Sequence, residues 1–413
     1  MATTSTPDGR MAWYRALPAQ GRRAFTSSFL GYGLDSYDFN ILPLILPAIT
    51  AAFALSTGQT GVLSSAMLVS SAIGGVIAGV LCDRIGRVRT LVLTVLAFAL
   101  FTALCGLASN YETLLVFRTL QGIGFGGEWA TGAVLVAEYT AARHRGRTLA
   151  VVQSAWAVGW AAAAVVATVL LSVLDEDIAW RVVLFTGALP ALLVLYLRRG
   201  VEDAPTRDDG PAVRGSFPEL FRGPLLRTTL FASLLTTGVQ GGYYTLAIWL
   251  PTFLRESRGL SVGNTGWFLV FLIPGAFLGY LCGGWFTDRL GRKRTIAAFA
   301  VVDAVLVVLY TQLPTSANAW VMVLGLPLGF GYSAIFSGFG AFLSELYPAR
   351  VRGIGTGFTY NFGRGVGAVF PATVGFMATS FGVGGAMSFA AGAYVLAFLA
   401  LLGLPETKDW ELS

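Results

Sequence analysis

Residues 34–47, LDSYDFNILPLILP, set two acids, Asp35 and Asp38, in a stretch that is otherwise mostly apolar. Three positions apart on a helix, their side chains share nearly one face. A carboxylate taken out of water costs several kcal/mol unless it is paired or protonated, so the pair is either a tether or a proton site. Asp38 lies one turn deeper in the apolar run, where desolvation is stronger, which favours it as the carrier with Asp35 tuning it. Arg364 is the second anomaly, ten residues inside an apolar stretch that begins at 354. Ten helical residues rise about 15 Å, half the thickness of a hydrocarbon core. A forked, permanently charged guanidinium at that depth suits a two-pronged grip on a carboxylate. The competing reading is a structural pair, for which Asp303 is the one other deep charge in that half of the chain.

Arg118 stands about six residues into another apolar tract, with Glu128 ten residues further on. Ten residues fall about 80° short of three turns, so the two make no simple ion pair. Arg118 is expected to hold Asp35 or Asp38 ionised across a helix interface until a proton or substrate displaces it, the alternative being a fixed bridge. Glu128 joins the proton-coupling group, against a purely structural role among Gly122, Gly124, Gly126 and Gly127, which pack a helix closely.

These charges stand out because the rest of the chain is oily. Of 413 residues, 55% are hydrophobic and 12% charged, with a mean hydropathy of +0.68; ordinary soluble domains carry about 25% charge. Long apolar tracts with 51 glycines imply membrane helices rather than a barrel of alternating ten-residue strands. Twelve tracts are expected, at about 25–53, 60–82, 90–108, 112–138, 148–174, 179–198, 227–254, 264–287, 295–313, 319–345, 354–379 and 384–404. The polar residues 1–24 read as a cytoplasmic tail rather than a secretory signal, 199–226 as a cytoplasmic linker between bundles 25–198 and 227–404, and 405–413 as a second cytoplasmic tail. Of 28 Lys and Arg, 23 fall in the tails and the loops on their side, which makes both termini cytoplasmic in a plasma-type membrane. Topology accounts for the net charge of +6, so nucleic acid is not an implied partner. The three cysteines all lie in apolar tracts, His144 sits among loop arginines, and no GxxxxGK[ST] segment occurs. No enzyme chemistry, metal, cofactor or nucleotide drive is indicated, and nothing demands more than a monomer.

The halves repeat each other. GVLCDRIGRVRTL at 79–91 returns as GWFTDRLGRKRTI at 284–296, and EYTAARHRGR at 138–147 as ELYPARVRGI at 345–354. Parallel repeats of this kind place a substrate path between the halves near the bilayer midplane. The doubled G-x-x-x-D-R-x-G-R and E-x-x-x-x-R-x-R-G patterns, RTLQGIGFGGEW at 118–129 and PET at 405–407 resemble the major facilitator superfamily over nearly the whole chain. D-x-x-D in the first tract, R-x-x-Q-G-x-G-x-G-G-E-W, Glu138 and WRVVLFTGALPALLVLYLRR at 180–199 are similar to the sialate:proton symporter group, which includes monocarboxylate permeases.

Residues of the paired loops form a predicted gate: Asp83, Arg84, Arg87, Glu138 and Arg145, with Asp288, Arg289, Arg292, Glu345 and Arg352 as their repeats. A loop carboxylate there can accept free helix-start N–H groups and pair with an arginine of the other half, latching that side shut. Gln240, Tyr243 and Tyr244, beside Gly241 and Gly242, suggest an unwound point in the seventh helix facing the substrate. Gln153, Trp156, Tyr332, Ser333, Tyr360 and Asn361 are expected to line the same cavity with Arg364. The combined expectation is proton-coupled symport of a small organic anion. A neutral-sugar porter needs the acids but not Arg364, and a drug exporter is the third reading.

Overall fold

A peptide group in hydrocarbon finds no water to bond, so a chain this apolar must satisfy its backbone within helices. The structure, a computed structural model, describes residues 14, 18–126, 142–189, 191–192 and 216–408, and among these it contains helices and no strand. In chain order they are α1 Ala19–Ala52, α2 Thr57–Ile85, α3 Arg87–Gly106, α4 Tyr111–Phe125, α5 Ala142–Val173, α6 Glu176–Thr186 and α7 Gly223–Thr252. There follow α8 Val262–Leu290, α9 Arg292–Gln312, α10 Asn318–Glu345, α11 Arg352–Gly367, α12 Val369–Met387 and α13 Phe389–Leu402.

The last three segments make two crossings. The backbone stays right-handed through Ala368 and Ser388, whereas Gly382 inside α12 turns to φ 68°, ψ 165°. The eleventh crossing thus ends at 381 and the twelfth starts at 383, and only glycine takes that turn without strain. Together with the crossings that begin at α4 and α6, this is an all-α membrane fold of twelve helices in two repeats of six. Seven described stretches are long and apolar enough to span a membrane by length and composition. Helices α1 and α7, 34 and 30 residues long, are long enough but too polar for that test, because they carry the Asp35, Asp38 and Gln240 groups described below.

The sequence repeat is also a backbone repeat. Gly86 before α3 has φ 90°, ψ 163° and Gly291 before α9 has φ 104°, ψ 158°, the same glycine-only turn in equivalent loops. The halves meet through α1 on α7, α2 on α11 and α12, and α5 on α8. Exchanging each helix for its counterpart maps the α2–α11 contact onto α8–α5, as a two-fold relation between halves requires. At the end away from the basic loops the seam is tight: a Cβ on Gly58 would meet the Phe376 ring at 2.7 Å, and one on Gly375 would meet Thr57 O at 2.5 Å. Nearer the basic loops, the space beside Gly79, Gly353 and Gly357 is open.

Three boundaries differ from the sequence expectation. The first helix starts at Ala19, since Pro18 in extended conformation precedes a polar turn that is free to be helical outside the apolar run. Of the expected linker, 217–221 is a short 3-10 turn docked on the second half, with Phe217 and Phe221 each 5.4 Å from the Phe358 ring, and α7 already begins at Gly223. Residues 405–408, the start of the expected C-terminal tail, lie against the second half.

Candidate functional site

A cavity of about 30 Å3 lies between the halves, lined by Tyr32, Asp35, Phe125, Trp156, Tyr243, Tyr244, Tyr280, Phe336, Tyr360 and Arg364. It has space for roughly two waters. The packing of α1 on α5 fixes one wall. Gly33 and Gly159 let the backbones touch, Ser36 Oγ donates to Trp156 O at 2.5 Å, and Trp156 stands against Tyr32 with ring centroids 5.1 Å apart. The opposite wall is α7, where Gln240 Nε2 donates to Tyr360 O at 2.8 Å and Tyr244 Oη donates to Gln240 Oε1 at 3.1 Å. Trp156 Nε1 donates to Tyr243 Oη at 2.6 Å, a hydrogen bond that joins the two halves across the cavity.

Arg364 is 4% exposed. Its guanidinium carbon lies 5.3 Å from the Phe125 ring and 5.1 Å from the Tyr360 ring, which offset part of the cost of burying the charge. Its Nε has no hydrogen-bond partner, and no acid among the described residues is within ion-pair distance of it. The alternative pairing with Asp303 is not formed, because that carboxyl is lodged against Gly331 of α10. A cation so held, facing a ring-lined space, has the charge and the donors that a carboxylate would pair with.

Asp38 lies away from this cavity. Thr102 Oγ1 of α3 donates to Asp38 Oδ2 at 2.8 Å, Gln121 Nε2 donates to Thr102 Oγ1 at 2.7 Å, and Arg118 Nη1 donates to Gln121 Oε1 at 2.6 Å. Arg118, expected to grip an aspartate directly, instead reaches Asp38 through two intervening side chains. Asp35 is the acid that lines the cavity with Arg364.

Several expected lining residues sit elsewhere. Asn361 packs against Gly75 of α2 and its Nδ2 donates to Gly357 O at 3.0 Å. Tyr332 lines a smaller neighbouring cavity with Trp160, its ring tilted against that of Tyr243 with centroids 5.2 Å apart. Gln153 and Ser333 are not among the lining residues. The seventh helix does not unwind at Gly241 and Gly242: α7 is continuous there, and added Cβ atoms would meet the Phe370 ring at 2.6 Å and the Tyr394 ring at 2.7 Å. These glycines serve close packing. Tyr32, Phe125, Tyr280 and Phe336 also line the cavity, and nothing in a sequence with 29 Phe and 14 Tyr singles them out.

At the basic loops the second half is clamped within itself. Glu406, from the PET segment, accepts from the free N–H groups of Arg292, Lys293 and Arg294 at 2.8, 3.3 and 3.3 Å, capping α9 with a negative charge. Thr407 Oγ1 donates to Glu345 Oε2 at 2.5 Å, and Glu345 pairs with Arg292 at 3.4 Å. Asp288, expected to cap a helix start or bridge to the other half, is 76% exposed and pairs with Arg292 one turn along, at 3.4 Å; the turn at Gly291 hands the cap to Glu406 instead. Arg352 Nε donates to Ser344 O and Tyr347 O, and Arg289 lies over Trp285 at 4.8 Å. Arg84 is exposed in the last turn of α2. Glu128 and Glu138, and the side chains of Asp83, Arg87 and Arg145, lie outside the described residues.

Comparison with known proteins agrees with this geometry. The sequence profile of the Major Facilitator Superfamily matches residues 28–371 and 270–413. A probable 4-methylmuconolactone transporter of Cupriavidus pinatubonensis is 40% identical over 401 residues, 96% of this chain and 93% of the relative. A cis,cis-muconate transport protein of Acinetobacter baylyi is 30% identical over 371 residues, 87% of this chain and 88% of the relative. The crystal structure of a D-xylose-proton symporter superposes with a TM-score of 0.77 at 19% identity, covering 94% of this chain and 98% of that one. The chain is a membrane transporter, not an enzyme, and it belongs to the Major Facilitator Superfamily.

Proposed function

We propose that the protein is a proton-coupled symporter of small organic anions, working by alternating access as a monomer in the cytoplasmic membrane with both termini inside. The observation that carries this reading is that Asp35 and Arg364, one from each half, line one small cavity. A substrate carboxylate seated on Arg364 enters the field of Asp35. Two carboxylates about 4 Å apart repel by about 4 kcal/mol at an effective dielectric of 20, and a proton on Asp35 removes that cost. Proton and anion therefore favour each other's binding, and linkage makes the effect reciprocal. Access to the cavity outweighs depth in the membrane, so Asp35 becomes the carrier. Asp38, tied through Thr102 and Gln121 to Arg118, sets the field behind it.

The ring-lined walls suit a flat carbon skeleton. The names of the methylmuconolactone and muconate relatives point the same way, towards unsaturated organic acids. The test is uptake into liposomes of labelled cis,cis-muconate, 4-methylmuconolactone, adipate as a saturated counterpart, and a neutral hexose. With acid outside, the unsaturated acids should accumulate above equilibrium and lose that accumulation when a protonophore collapses the gradient. Accumulation indifferent to the pH gradient, or transport of the hexose alone, refutes the proposal.

A further inference from the structure

One buried acid has no part in the mechanism above. Asp303, midway along α9, is 0% exposed, and neither of its carboxyl oxygens has a hydrogen-bond partner. A Cβ on Gly331 of α10 would lie 2.0 Å from Asp303 Oδ1, so the missing side chain at 331 makes the space the carboxyl occupies. Tyr332 of α10 and Tyr394 of α13 lie within electrostatic reach of it, and both hydroxyls also lack partners.

The elements packed on α9 bring no counter-charge. Helices α12 and α13 contain no charged residue, α10 has only Glu345 at its end, and α8 has only Asp288 and Arg289 in its last turn. On α9 itself the nearest cations, Arg292 to Arg294, are nine or more residues away, about 13 Å along the axis. An ionised carboxyl in such a place costs several kcal/mol, so the neutral acid is the form the site tolerates. A polar group kept only as glue between helices would be hydrogen-bonded to them; this one is not. Tyr332 continues the line inward, its ring 5.2 Å from Tyr243, which borders the substrate cavity.

We propose that Asp303 is a second proton-binding site of the transport cycle, seated in the C-terminal six-helix unit and joined to the substrate cavity through Tyr332 and Tyr243. The proton is held on the carboxyl while the halves are closed. It leaves to water only when opening hydrates the α9–α10 seam, and the next proton enters from the other side. This rests on the proton-coupled reading and adds a second ion to it.

The experiment measures the proton-to-anion ratio of reconstituted wild-type protein, from the accumulation reached at a set pH gradient with the membrane potential clamped, beside Asp303→Asn. A cycle with both Asp35 and Asp303 gives about two protons per anion, and each coupled proton is worth about tenfold accumulation per pH unit. Asp303→Asn should keep counterflow exchange and lose about tenfold of accumulation per unit of gradient. A wild-type ratio of one overturns the Asp303 assignment even if the variant fails to fold, as does an unchanged ratio in a folded Asp303→Asn. A wild-type protein whose accumulation ignores the pH gradient overturns proton coupling itself, which separates the failure of the two ideas.

Discussion

The hydrogen bond from Trp156 to Tyr243 is the plainest single tie between the halves, and its loss has a calculable effect. Tyr243→Phe removes the acceptor and leaves the ring in place against Tyr332 and Phe336, at 5.2 and 5.4 Å. A buried neutral hydrogen bond contributes about 0.5–1.5 kcal/mol net, which is roughly a two- to thirteen-fold change in the ratio of closed to open protein. Leaving the indole N–H wholly unsatisfied would cost more, but a cavity of about 30 Å3 admits a water to take its place. Trp156→Phe is expected to do more, because it also alters ring contacts with Tyr32 at 5.1 Å and Phe39 at 5.5 Å. Spin labels at Ser56 and Phe381, both exposed at the sealed end of the seam, report opening there as a longer distance. The long-distance population relative to the short should rise two- to thirteen-fold in Tyr243→Phe. Unchanged populations in a folded variant refute the claim that this bond holds the halves together.

Other substitutions test the remaining parts. Arg364→Ala should weaken carboxylate binding at least about 100-fold, as two charged hydrogen bonds of about 1.5–3 kcal/mol each are lost, and Arg364→Lys should recover little; calorimetric titration with the acid decides it. Asp35→Asn should keep counterflow and lose about tenfold of gradient-driven accumulation per pH unit, whereas Asp38→Asn, whose carboxyl is bonded to Thr102 away from the cavity, should slow transport and leave the accumulation ratio unchanged. Gly159→Ala drives a methyl to 1.8 Å from Gly33 O and should cost about 1–3 kcal/mol, read as a lower melting temperature in detergent. In the linker, the Ser216 N–H and Arg350 hold the Glu219 carboxyl below its usual range. A depressed folded value means that the docked turn gains stability above the free carboxylate's range and loses it as pH falls through the folded one. Proteolysis at 216–222 should therefore speed up on acidification through that window, and not in Glu219→Gln.

The fold was legible because charge is scarce: basic loops, apolar tracts and the doubled loop motifs mark the crossings and the repeat without reference to packing. Asp35 and Arg364 stood out for the same reason. What sequence reasoning did not reach is which rings face the cavity, because Tyr32, Phe125, Tyr280 and Phe336 differ from other aromatics only by rotation about their helices. Ranking Asp38 above Asp35 rests on depth, a one-dimensional measure that carries no information on which of the two lines the cavity, where the structure puts Asp35. Gly241 and Gly242 misled in another way, since a glycine pair signals unwinding and ring packing equally. The route from Arg118 to Asp38 depends on Thr102 and Gln121, two ordinary polar residues from separate helices that only the folded bundle brings into line.

The clasp of Glu406 and Thr407 on the loops of the second half makes the end of the described chain part of one rigid body. A fluorescent protein fused just beyond Lys408, whose Nζ is itself fastened to Arg289 O at 3.0 Å, would move with that half alone. Paired with a second fluorophore ahead of Pro18, where α1 of the other half begins, it would turn the rocking of the two units into a change in energy transfer. The same transporter would then serve as an optical gauge of its own substrate, provided neither linker is longer than the few residues that keep each dye tied to its own half.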